Sequence, residues 1–380
     1  MKIVLVIDQF DDANNGTTIS ARRFAQALID HGNQVRVIAT GKPADYKYAV
    51  RQMRFFPIVE HLITSQGMRL AIPNRHVFEK AAAWADVVHF MMPSPLAIMG
   101  LKHVEKLGIP HTAAFHCQPE NITFTLHMGN SKRVNDFVYT KFRDTFFNRF
   151  THIHCPSNMI AGQLREHGYT AQLHVISNGI SPQYFYAKRP KEDWMQGKFN
   201  VIMVGRYAGE KRQDVLLQAA ARCRHAQDIQ VILAGKGPLE KKYRRMAEGL
   251  PNPVVMEFYE PARLIEILHM ADLYVHTADA EIEAMSCMEA FACGLVPVIA
   301  NSPRSATPQF ALDGRSLFPA GDANALAAQM DWWIEHPAER EKMERRYAQH
   351  AEQYALEKSI EATEEMFRQA IAERQAAGNS

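Results

Sequence analysis

Two glutamates separated by seven residues occur in the stretch AEIEAMSCMEAFACGLVPV, which covers residues 280–298. On one continuous helix the Cα atoms of Glu281 and Glu289 would lie ~12 Å apart. The paired carboxyls of glycoside hydrolases lie roughly 5–9 Å apart, so a direct acid/base pair is a poor interpretation. The glutamates are therefore either ordinary surface charges, or one lies on a loop and the other inside the helix that follows.

The surrounding residues favour a loop followed by a helix. ADLYVHT is typical of a strand, ADAEIEA of a polar turn, and MSCMEAFACG of a helix that ends at a glycine cap. Glu281 then lies on the turn and Glu289 about one turn into the helix. The helix N-terminus would offer backbone amides to phosphate oxygens at Ala284, Met285 and Ser286. Carboxylates that accept from hydroxyl pairs indicate sugar rings, and amides between them indicate a diphosphate. A nucleotide sugar has this layout.

A second strand end carries two cations. In VGRYAGEKRQDVL, at 204–216, Gly205 ends a predicted strand, and Arg206 and Lys211 follow on a short loop before a helix. Two fixed cations beside a helix N-terminus suit a diphosphate. A solvated basic loop is the alternative, and the position at a strand end favours the ligand site.

Two glycine-containing turns are less specific. Gly16, in NNGTTIS, would let the backbone approach a ligand beside a helix N-terminus, but a tight strand-to-helix turn needs the same residue. AGKGPLEKK, at 234–242, begins like a dinucleotide fingerprint, but Leu239 and Glu240 stand where the last glycine should come. This counts against a nicotinamide dehydrogenase.

The elements that must position these residues alternate along the chain. Short apolar runs such as KIVLVI, QVRVIAT, NVIMVGR and VPVIAN alternate with amphipathic segments, which predicts parallel, doubly wound α/β sheets. We predict two Rossmann-like domains facing a cleft, at 1–185 and 196–355, joined by a proline-containing linker. The charged segment 356–380 is predicted to be a helix that packs back on the N-terminal domain through an apolar stripe of Ile360, Met366, Phe367, Ala370 and Ile371.

Composition excludes several classes of protein. The 380 residues carry a net charge of +2, which disfavours a nucleic-acid-binding protein, and no base-reading module is present. Five scattered cysteines without a C-x-x-C pair indicate reduced thiols in the cytoplasm. No stretch approaches 18 uninterrupted apolar residues, so no membrane span is predicted.

The glutamate pair resembles the E-x7-E signature of retaining glycosyltransferases of family 4, which have the GT-B fold. VGRYAGEKRQDVLLQA, NGISP and AFACGLVPV resemble segments of that family in the expected order, so the resemblance covers nearly the whole chain. NNGTTISARRFAQAL, AAFHCQPENI, IHCPS and SPRSAT look most like the bacterial members that glycosylate diacylglycerol and related lipids.

The resemblance implies a role for each candidate residue. Glu289 would bind the nucleotide ribose and Glu281 the hydroxyls of the donor sugar, while Arg206 and Lys211 would neutralise the leaving diphosphate. His116 would lie over the donor sugar, and a hydrogen-bonded core histidine is the alternative. Many members have Phe-Gly where this chain has Glu283 and Ala284. That departure leaves the identity of the donor sugar open.

Two segments mix basic and aromatic residues, as surfaces that bind anionic lipid do. They are SKRVNDFVYTKFRDTFFNRF, at 131–150, and the segment 47–75. The candidate membrane residues are Arg51, Arg54, Lys141, Arg143 and Arg149. A half-buried helix with a solvated basic face is an equally good interpretation.

The histidines of HTAAFHC and HIHCPS could indicate zinc, because a His-x-His on a strand points both rings to one face. No nearby second cluster has usable spacing, so no metal site is predicted.

Together these observations predict a cytoplasmic enzyme that is peripheral on the inner face of the membrane. It would move glucose or galactose from a UDP-sugar to a lipid hydroxyl such as that of diacylglycerol, without a metal or another cofactor. The alternatives are a soluble sugar or small-molecule acceptor, and a nucleotide-sugar-binding protein without turnover.

Overall fold

A computed structural model describes residues 1–11, 16–57, 60, 63–64, 67–125 and 128–378. The chain forms two compact units. The first comprises Met1–Thr123, Met128–Asn178 and Leu356–Ser380, and the second comprises Phe124–His127 and Gly179–Ala355. Each unit contains its own parallel sheet, and helices alternate with its strands.

The first unit is built on seven strands: β1 Lys2–Val6, β2 Gln34–Thr40, β3 Lys47–Val50, β4 Val87–Phe90, β5 His111–Ala114, β6 His152–Cys155 and β7 Gln172–Val175. Their order is β3-β2-β1-β4-β5-β6-β7, and every neighbouring pair is parallel. Ile3 pairs with Val35 on one side and with Val87 on the other. The strand order reverses between β1 and β4, which is where parallel α/β sheets bind ligands.

The helices of the first unit are α1 Gly16–Asp30, α2 Arg75–Trp84, α3 Pro95–Lys106, α4 Pro119–Thr125, α5 Lys132–Thr145 and α6 Asn158–Glu166, with α13 Leu356–Gly378 added from the far end of the chain. The last two residues of α4 are assigned to the second unit. The starts of α2, α3 and α6 are fixed by side-chain caps, in which Asn74, Ser94 and Ser157 accept from backbone amides two or three residues into each helix.

Helix α13 completes the core of the first unit. Its Ile360, Met366 and Phe367 are buried with residues of β1 and α1, such as Leu5 and Leu28. Three polar contacts hold its other side. Asn33 donates a hydrogen bond to Glu364, Nε2 of His31 lies 2.8 Å from Oε1 of Glu357, and Nε2 of His152 lies 3.0 Å from Oε2 of Glu373.

The second unit is built on a six-stranded sheet and a two-stranded ribbon. Its strands are β8 Phe199–Val204, β9 Ile229–Ala234, β10 Val255–Glu257, β11 Leu273–His276, β12 Ala280–Glu281, β13 Pro297–Asn301, β14 Arg304–Ser305 and β15 Leu317–Pro319. The sheet order is β10-β9-β8-β11-β13-β15, and β12 pairs with β14. The order reverses between β8 and β11, so this unit repeats the arrangement of the first. The prediction of two Rossmann-like parallel-sheet domains is confirmed.

The helices of the second unit are α7 Gln213–Arg222, α8 Glu240–Ala247, α9 Pro261–Met270, α10 Met285–Ala292, α11 Ala323–Glu335 and α12 Pro337–Ala351. Short 3₁₀ turns complete the two units at Phe147–Arg149, Asp193–Met195, Gly209–Lys211, Thr307–Phe310, Gly314–Ser316 and Glu352–Tyr354. None of the helices in the described part of the chain has the length and apolar character needed to cross a bilayer.

A buried carboxyl follows β1 at the edge where its sheet reverses. Asp8 is 2% exposed and accepts a 2.8 Å hydrogen bond from the amide of Ala71. Burial raises the pKa of Asp8 to about 6, against the opposing effect of the Ser94 hydroxyl and the Ala71 amide. Folding therefore favours the protonated form of this side chain.

The shifted pKa of Asp8 predicts a pH-dependent contribution to stability. The unfolded carboxyl ionises near pH 3.8 and the folded one near pH 6, so the folded state binds more protons between these values. The contribution of Asp8 is full below pH 3.8 and is lost as the pH rises through 6. At pH 7.5 the buried Asp8 carboxyl is ionised, whereas an amide in its place would be neutral. Asp8→Asn should therefore raise the melting temperature above that of the parent at pH 7.5 but not at pH 4.5, measured by calorimetry. Asp30→Asn, at an exposed site on α1, is the control. Equal melting temperatures of Asp8→Asn and parent at pH 7.5 would contradict the assignment.

Candidate functional site

The candidate site in the second unit lies where the sheet order reverses, at the carboxyl ends of β8 and β11. The loop after β8 carries the two predicted cations. Arg206 donates a 2.8 Å hydrogen bond to Glu210 four residues later. Gln213, at the start of α7, donates to the carbonyl of Arg206 at 2.9 Å. Both bonds fix the loop before α7 begins.

The glycines of AGKGP have a packing role beside this loop. A Cβ built on Gly235, whose φ is +159°, would lie 2.1 Å from the carbonyl oxygen of Gly205. A Cβ on Gly237 would lie 2.6 Å from the carbonyl oxygen of Tyr207. Tyr207 also donates its amide to the carbonyl of Lys236 at 3.1 Å. These two glycines therefore let the loops after β8 and β9 pack together.

The loop is braced from β11 as well. The Thr277 hydroxyl, fully buried, lies 2.8 Å from the carbonyl oxygens of both Lys211 and Arg212. Arg212 has the left-handed φ of 56° and donates to Asp279 at 3.0 Å. A non-glycine residue in this conformation is held there by its surroundings, at a cost of about 1–3 kcal/mol. Thr277 and Asp279 together hold Lys211 at the end of the 3₁₀ turn.

The predicted cation and the predicted sugar-binding acid are in contact. Lys211 forms an ion pair with Glu281, and their side chains are 20% and 13% exposed. Burial opposes ionisation of Glu281, but the Lys211 ammonium and the His276 ring outweigh it and hold the pKa of that carboxyl below its ordinary value. The backbone amide of Ala284 also donates to this carboxylate. Glu281 is therefore held as an anion.

The sequence predicted a turn at Glu281, and this is wrong for residues 280–281. Ala280 and Glu281 form β12, which pairs in parallel with Arg304 and Ser305 of β14. The partner strand lies more than 20 residues away in the sequence, so the local pattern of polar residues could not reveal it. The strand pairing fixes the backbone from which the Glu281 side chain projects.

Helix α10 begins beside Glu281, as predicted. Its N-cap, Ala284, has φ 56° and ψ 63°, and its carbonyl accepts from the amides of Cys287 and Met288. An L-residue in this conformation is strained by roughly 1–2 kcal/mol, whereas glycine would not be. Ala284 stands where many family members have glycine, so this chain has a strained alanine at the N-terminus of α10.

The predicted phosphate-binding and ribose-binding residues lie along the first turns of α10. The prediction that the Ala284 amide faces phosphate oxygens is wrong, because this amide donates to the Glu281 carboxylate beside it. The Ser286 hydroxyl lies 3.0 Å from the Tyr274 hydroxyl. Met285 begins the helix, and Glu289 lies in its second turn with 7% of its surface exposed. Lys211, Glu281 and the start of α10 therefore form one continuous site in the second unit.

His116 and Gly16 belong to the first unit. His116 lies just beyond β5 and is 5% exposed, with its ring 5.1 Å from that of His154 and at 84° to it. The rings of His154 and His89 are in turn 6.4 Å apart. Burial, reinforced by His154 and His89, lowers the pKa of His116 well below its ordinary value, so its imidazole is neutral at physiological pH. Gly16 begins α1.

The two histidines of the predicted His-x-His have different partners. His152 lies 2.9 Å from His174 and 3.0 Å from Glu373, whereas His154 donates to the carbonyl of Ile176 at 2.7 Å. Across the residues that the structure describes, no group of three or more histidine, cysteine, aspartate or glutamate side chains is arranged to hold a metal ion.

Of the basic residues predicted to face a membrane, some are paired with carboxylates of the protein and others are exposed to solvent. Arg149 forms a bidentate ion pair with Glu105, and Arg143 pairs with Asp144 and donates to the carbonyl of His167. Lys141 is exposed, with its ammonium 5.4 Å from the centre of the Phe137 ring. Arg51 and Arg54 are also exposed. The paired arginines are therefore poorer membrane ligands than the sequence predicted.

Sequence reasoning missed His276, Tyr274 and Thr277. All three are buried; Tyr274 lies within β11, whereas His276 and Thr277 lie at its carboxyl end, at the same edge of the sheet as Gly205. The available signal was a histidine and a threonine directly after an apolar run at a sheet edge.

The chain matches two families of glycosyltransferases. Residues 14–184 match the model of Glycosyltransferase Family 4, and residues 186–352 match that of Glycosyl transferases group 1. The α-monoglucosyldiacylglycerol synthase of Streptococcus pneumoniae is 20% identical over 321 residues, which are 79% of this chain and 71% of that protein. The GDP-mannose-dependent α-mannosyltransferase of Mycobacterium tuberculosis is 25% identical over 323 residues, or 79% of each chain.

Solved structures that match nearly the whole chain show the same fold. Anabaena HepE in complex with UDP and glucose superposes with a TM-score of 0.74 at 16% identity, over 97% of this chain and all of that one. The catalytic domain of cholesterol-α-glucosyltransferase from Helicobacter pylori is 50% identical but overlaps only 41% of this chain, 99% of its own, with a TM-score of 0.41. The whole-chain likeness is to the GT-B fold.

Proposed function

This chain belongs to the family 4-like glycosyltransferases with the GT-B fold, and from that premise we propose that it transfers a hexose from a UDP-sugar to a lipid hydroxyl, with retention of configuration. The contact between Lys211 and Glu281 beside the N-terminus of α10 carries this proposal. In this proposal Lys211 would meet the diphosphate, and Glu281 beside it would accept from the sugar hydroxyls. Two relatives named for lipids support the choice of acceptor: the α-monoglucosyldiacylglycerol synthase, and a GDP-mannose-dependent phosphatidylinositol dimannoside mannosyltransferase of Mycobacterium tuberculosis.

The proposed chemistry is mainly electrostatic. The bond between the anomeric carbon and the phosphate oxygen breaks, and its electron pair stays on the nucleoside diphosphate. The acceptor oxygen bonds to the same face of that carbon and gives its proton to the leaving phosphate oxygen. Lys211, Arg206 and the amides at the start of α10 stabilise the charge that develops on the diphosphate. Glu281 holds the sugar hydroxyls, and Glu289 accepts from the ribose.

The remaining predicted residues fit this scheme as part of the proposal. His116 is neutral, so it would contact the donor sugar as a hydrogen-bonding group and not as a cation. Gly16, at the start of α1, would let the backbone approach the donor. Because two side-chain cations serve the diphosphate, the reaction would need no metal ion.

A product assay tests the proposed function. The purified protein is incubated with UDP-glucose, UDP-galactose or GDP-mannose and with diacylglycerol, phosphatidylinositol or a sterol, with and without EDTA. We expect one hexosyl lipid, detected by mass spectrometry, with an equal amount of UDP and no loss in EDTA. If only GDP-mannose gave a hexosyl lipid, the donor would be GDP-mannose and the proposed UDP-sugar would be wrong. Transfer only to a soluble sugar would favour the polysaccharide alternative, and donor binding without transfer would favour a binding protein.

We propose that helix α5 brings the first unit to the lipid surface. Arg133, Phe137 and Lys141 recur at intervals of four residues, so they lie on one face of α5. All three are exposed, and Phe137 shows 59% of its surface to solvent. An exposed aromatic ring between two cations suits an anionic membrane surface, where each cation contributes ~1 kcal/mol.

We predict that the protein sediments with anionic liposomes at low salt and is released at high salt, because salt screens these cations. The triple variant Arg133→Glu, Phe137→Ser, Lys141→Glu should lose sedimentation while keeping its affinity for UDP. Lys342→Glu with Arg345→Glu reverses two charges on α12 of the second unit and serves as the control. A parent protein that stays in the supernatant at low salt would refute the role of α5 and favour a soluble acceptor.

A further inference from the structure

A buried histidine next to Glu281 has no role in the chemistry described above. His276 is the last residue of β11, and its side chain is 2% exposed. Its Nδ1 lies 3.2 Å from the Tyr274 hydroxyl, which in turn lies 3.0 Å from the Ser286 hydroxyl. Its Nε2 lies 3.8 Å from Oε2 of Glu281. His276 thus connects the first turn of α10 to the carboxylate that would hold the sugar.

The neighbours of His276 determine which ring nitrogen carries the proton. If Nδ1 were protonated, the bare Nε2 lone pair would face the ionised Glu281 carboxylate, and two acceptors would repel each other. If Nε2 is protonated, its N–H points towards Glu281 and Nδ1 accepts from the Tyr274 hydroxyl, which then accepts from Ser286. In the second arrangement each donor of the series Ser286, Tyr274 and His276 faces an acceptor.

Nε2 of His276 is buried and forms no hydrogen bond with any described residue, because 3.8 Å is too long. The Glu281 oxygen that it faces is occupied instead by Lys211. A donor diphosphate at the start of α10 would compete for that lysine. Without a replacement, Glu281 would become a buried carboxylate that has lost its cation, which is a costly state.

We propose that His276 is the positioning residue that replaces Lys211 at Glu281 when the donor binds. As the lysine turns to the diphosphate, the Nε2–H of His276 donates a hydrogen bond to Oε2 of Glu281. The hydrogen bonds through the Tyr274 and Ser286 hydroxyls keep the imidazole ring oriented. Glu281 then stays fixed and ionised while it accepts from the sugar hydroxyls. This inference rests on the proposed function, because it assigns Lys211 to the diphosphate and Glu281 to the sugar.

Two substitutions separate the role of Nε2 from that of ring packing. His276→Phe keeps a ring against Tyr274 but removes both nitrogen atoms, whereas His276→Gln keeps an amide N–H near the place of Nε2. His276→Phe should lower kcat on the order of tenfold or more, because a hydrogen bond to a charged group is lost. His276→Gln should recover kcat to within about threefold of the parent. His269→Phe replaces another buried histidine of the second unit, bonded to the carbonyl of Phe185, and is the control.

The binding measurement distinguishes the possible failures. Calorimetry should show UDP affinity within about twofold of the parent for His276→Phe, while the extra affinity for the UDP-sugar over UDP is reduced. Parent-like kcat in His276→Phe would overturn the inference and leave the proposed function standing. Equal losses in the Phe and Gln variants, with UDP affinity also lost, would show a structural role only. A parent protein that binds no sugar nucleotide would overturn both.

Discussion

Lys211→Ala is expected to lower kcat by about 10²–10³-fold, while the affinity for the free nucleoside changes little. Lys211 would meet a diphosphate whose charge grows as the bond to the sugar breaks, so its contribution is larger in the transition state than in the ground state. The structure adds a second consequence, since the same ammonium is the ion-pair partner of Glu281. Its loss should raise the pKa of that carboxyl, because burial would then be less opposed.

Arg206→Ala should also lower kcat but should disturb Glu281 less, because Arg206 pairs with Glu210 in its own loop, whereas Lys211 pairs with Glu281. Arg222→Ala removes an exposed cation at the last residue of α7, the helix that follows this loop, and is the matched control. Single-turnover and steady-state rates, on the donor and acceptor that the product assay identifies, provide the measurement. If the lysine variant retained a parent-like kcat, Lys211 would serve only to hold Glu281.

Glu289→Ala is expected to weaken UDP binding by ~1.5–3 kcal/mol, which corresponds to roughly 10- to 150-fold in Kd. The carboxylate would accept from the two ribose hydroxyls, and its near-complete burial keeps competing water away. Glu289→Gln keeps the shape and the acceptor oxygen but removes the charge, so its Kd should fall between those of the parent and the alanine variant.

Calorimetry with UDP checks the ribose assignment, and Glu341→Ala, at an exposed site on α12, is the control for a lost surface charge. The deficit in the Glu289 variants should appear equally with UDP and with the sugar nucleotide, because the ribose is common to both. Unchanged UDP affinity in Glu289→Ala would remove Glu289 from the site.

Local patterns were sufficient to predict the two sheets, because strands buried on both faces leave continuous apolar runs such as KIVLV and IQVILA. The same patterns predicted Arg206, Lys211, Glu281 and Glu289 at the edge of one sheet, since each lies after a recognisable strand or within the helix that follows it. The glutamate spacing indicated one acid on a loop and one inside the following helix; the helix is α10, whereas Glu281 lies on β12.

The remaining features depend on contacts between distant residues. The ion pair of Arg149 joins residues 44 positions apart, so the basic segment appeared more available for lipid than it is. The left-handed conformation of Ala284 arises where α10 begins beside the paired strands β12 and β14. An alanine side chain does not by itself predict a positive φ. His276 looked like one polar residue at the end of a strand, and only its distance from Glu281 shows what it can do.

Helix α13 also sets the order in which this protein can be completed during synthesis. Its residues leave the ribosome after those of the second unit, yet they pack on Leu5, Leu28 and Val37 of the first unit. All of Gly179–Ala355 emerges earlier, so the second unit has its whole sequence available before the first unit can close its core. During that interval the first unit exposes the apolar surface that α13 later covers. A chain terminated after Ala355 would leave it in that state permanently.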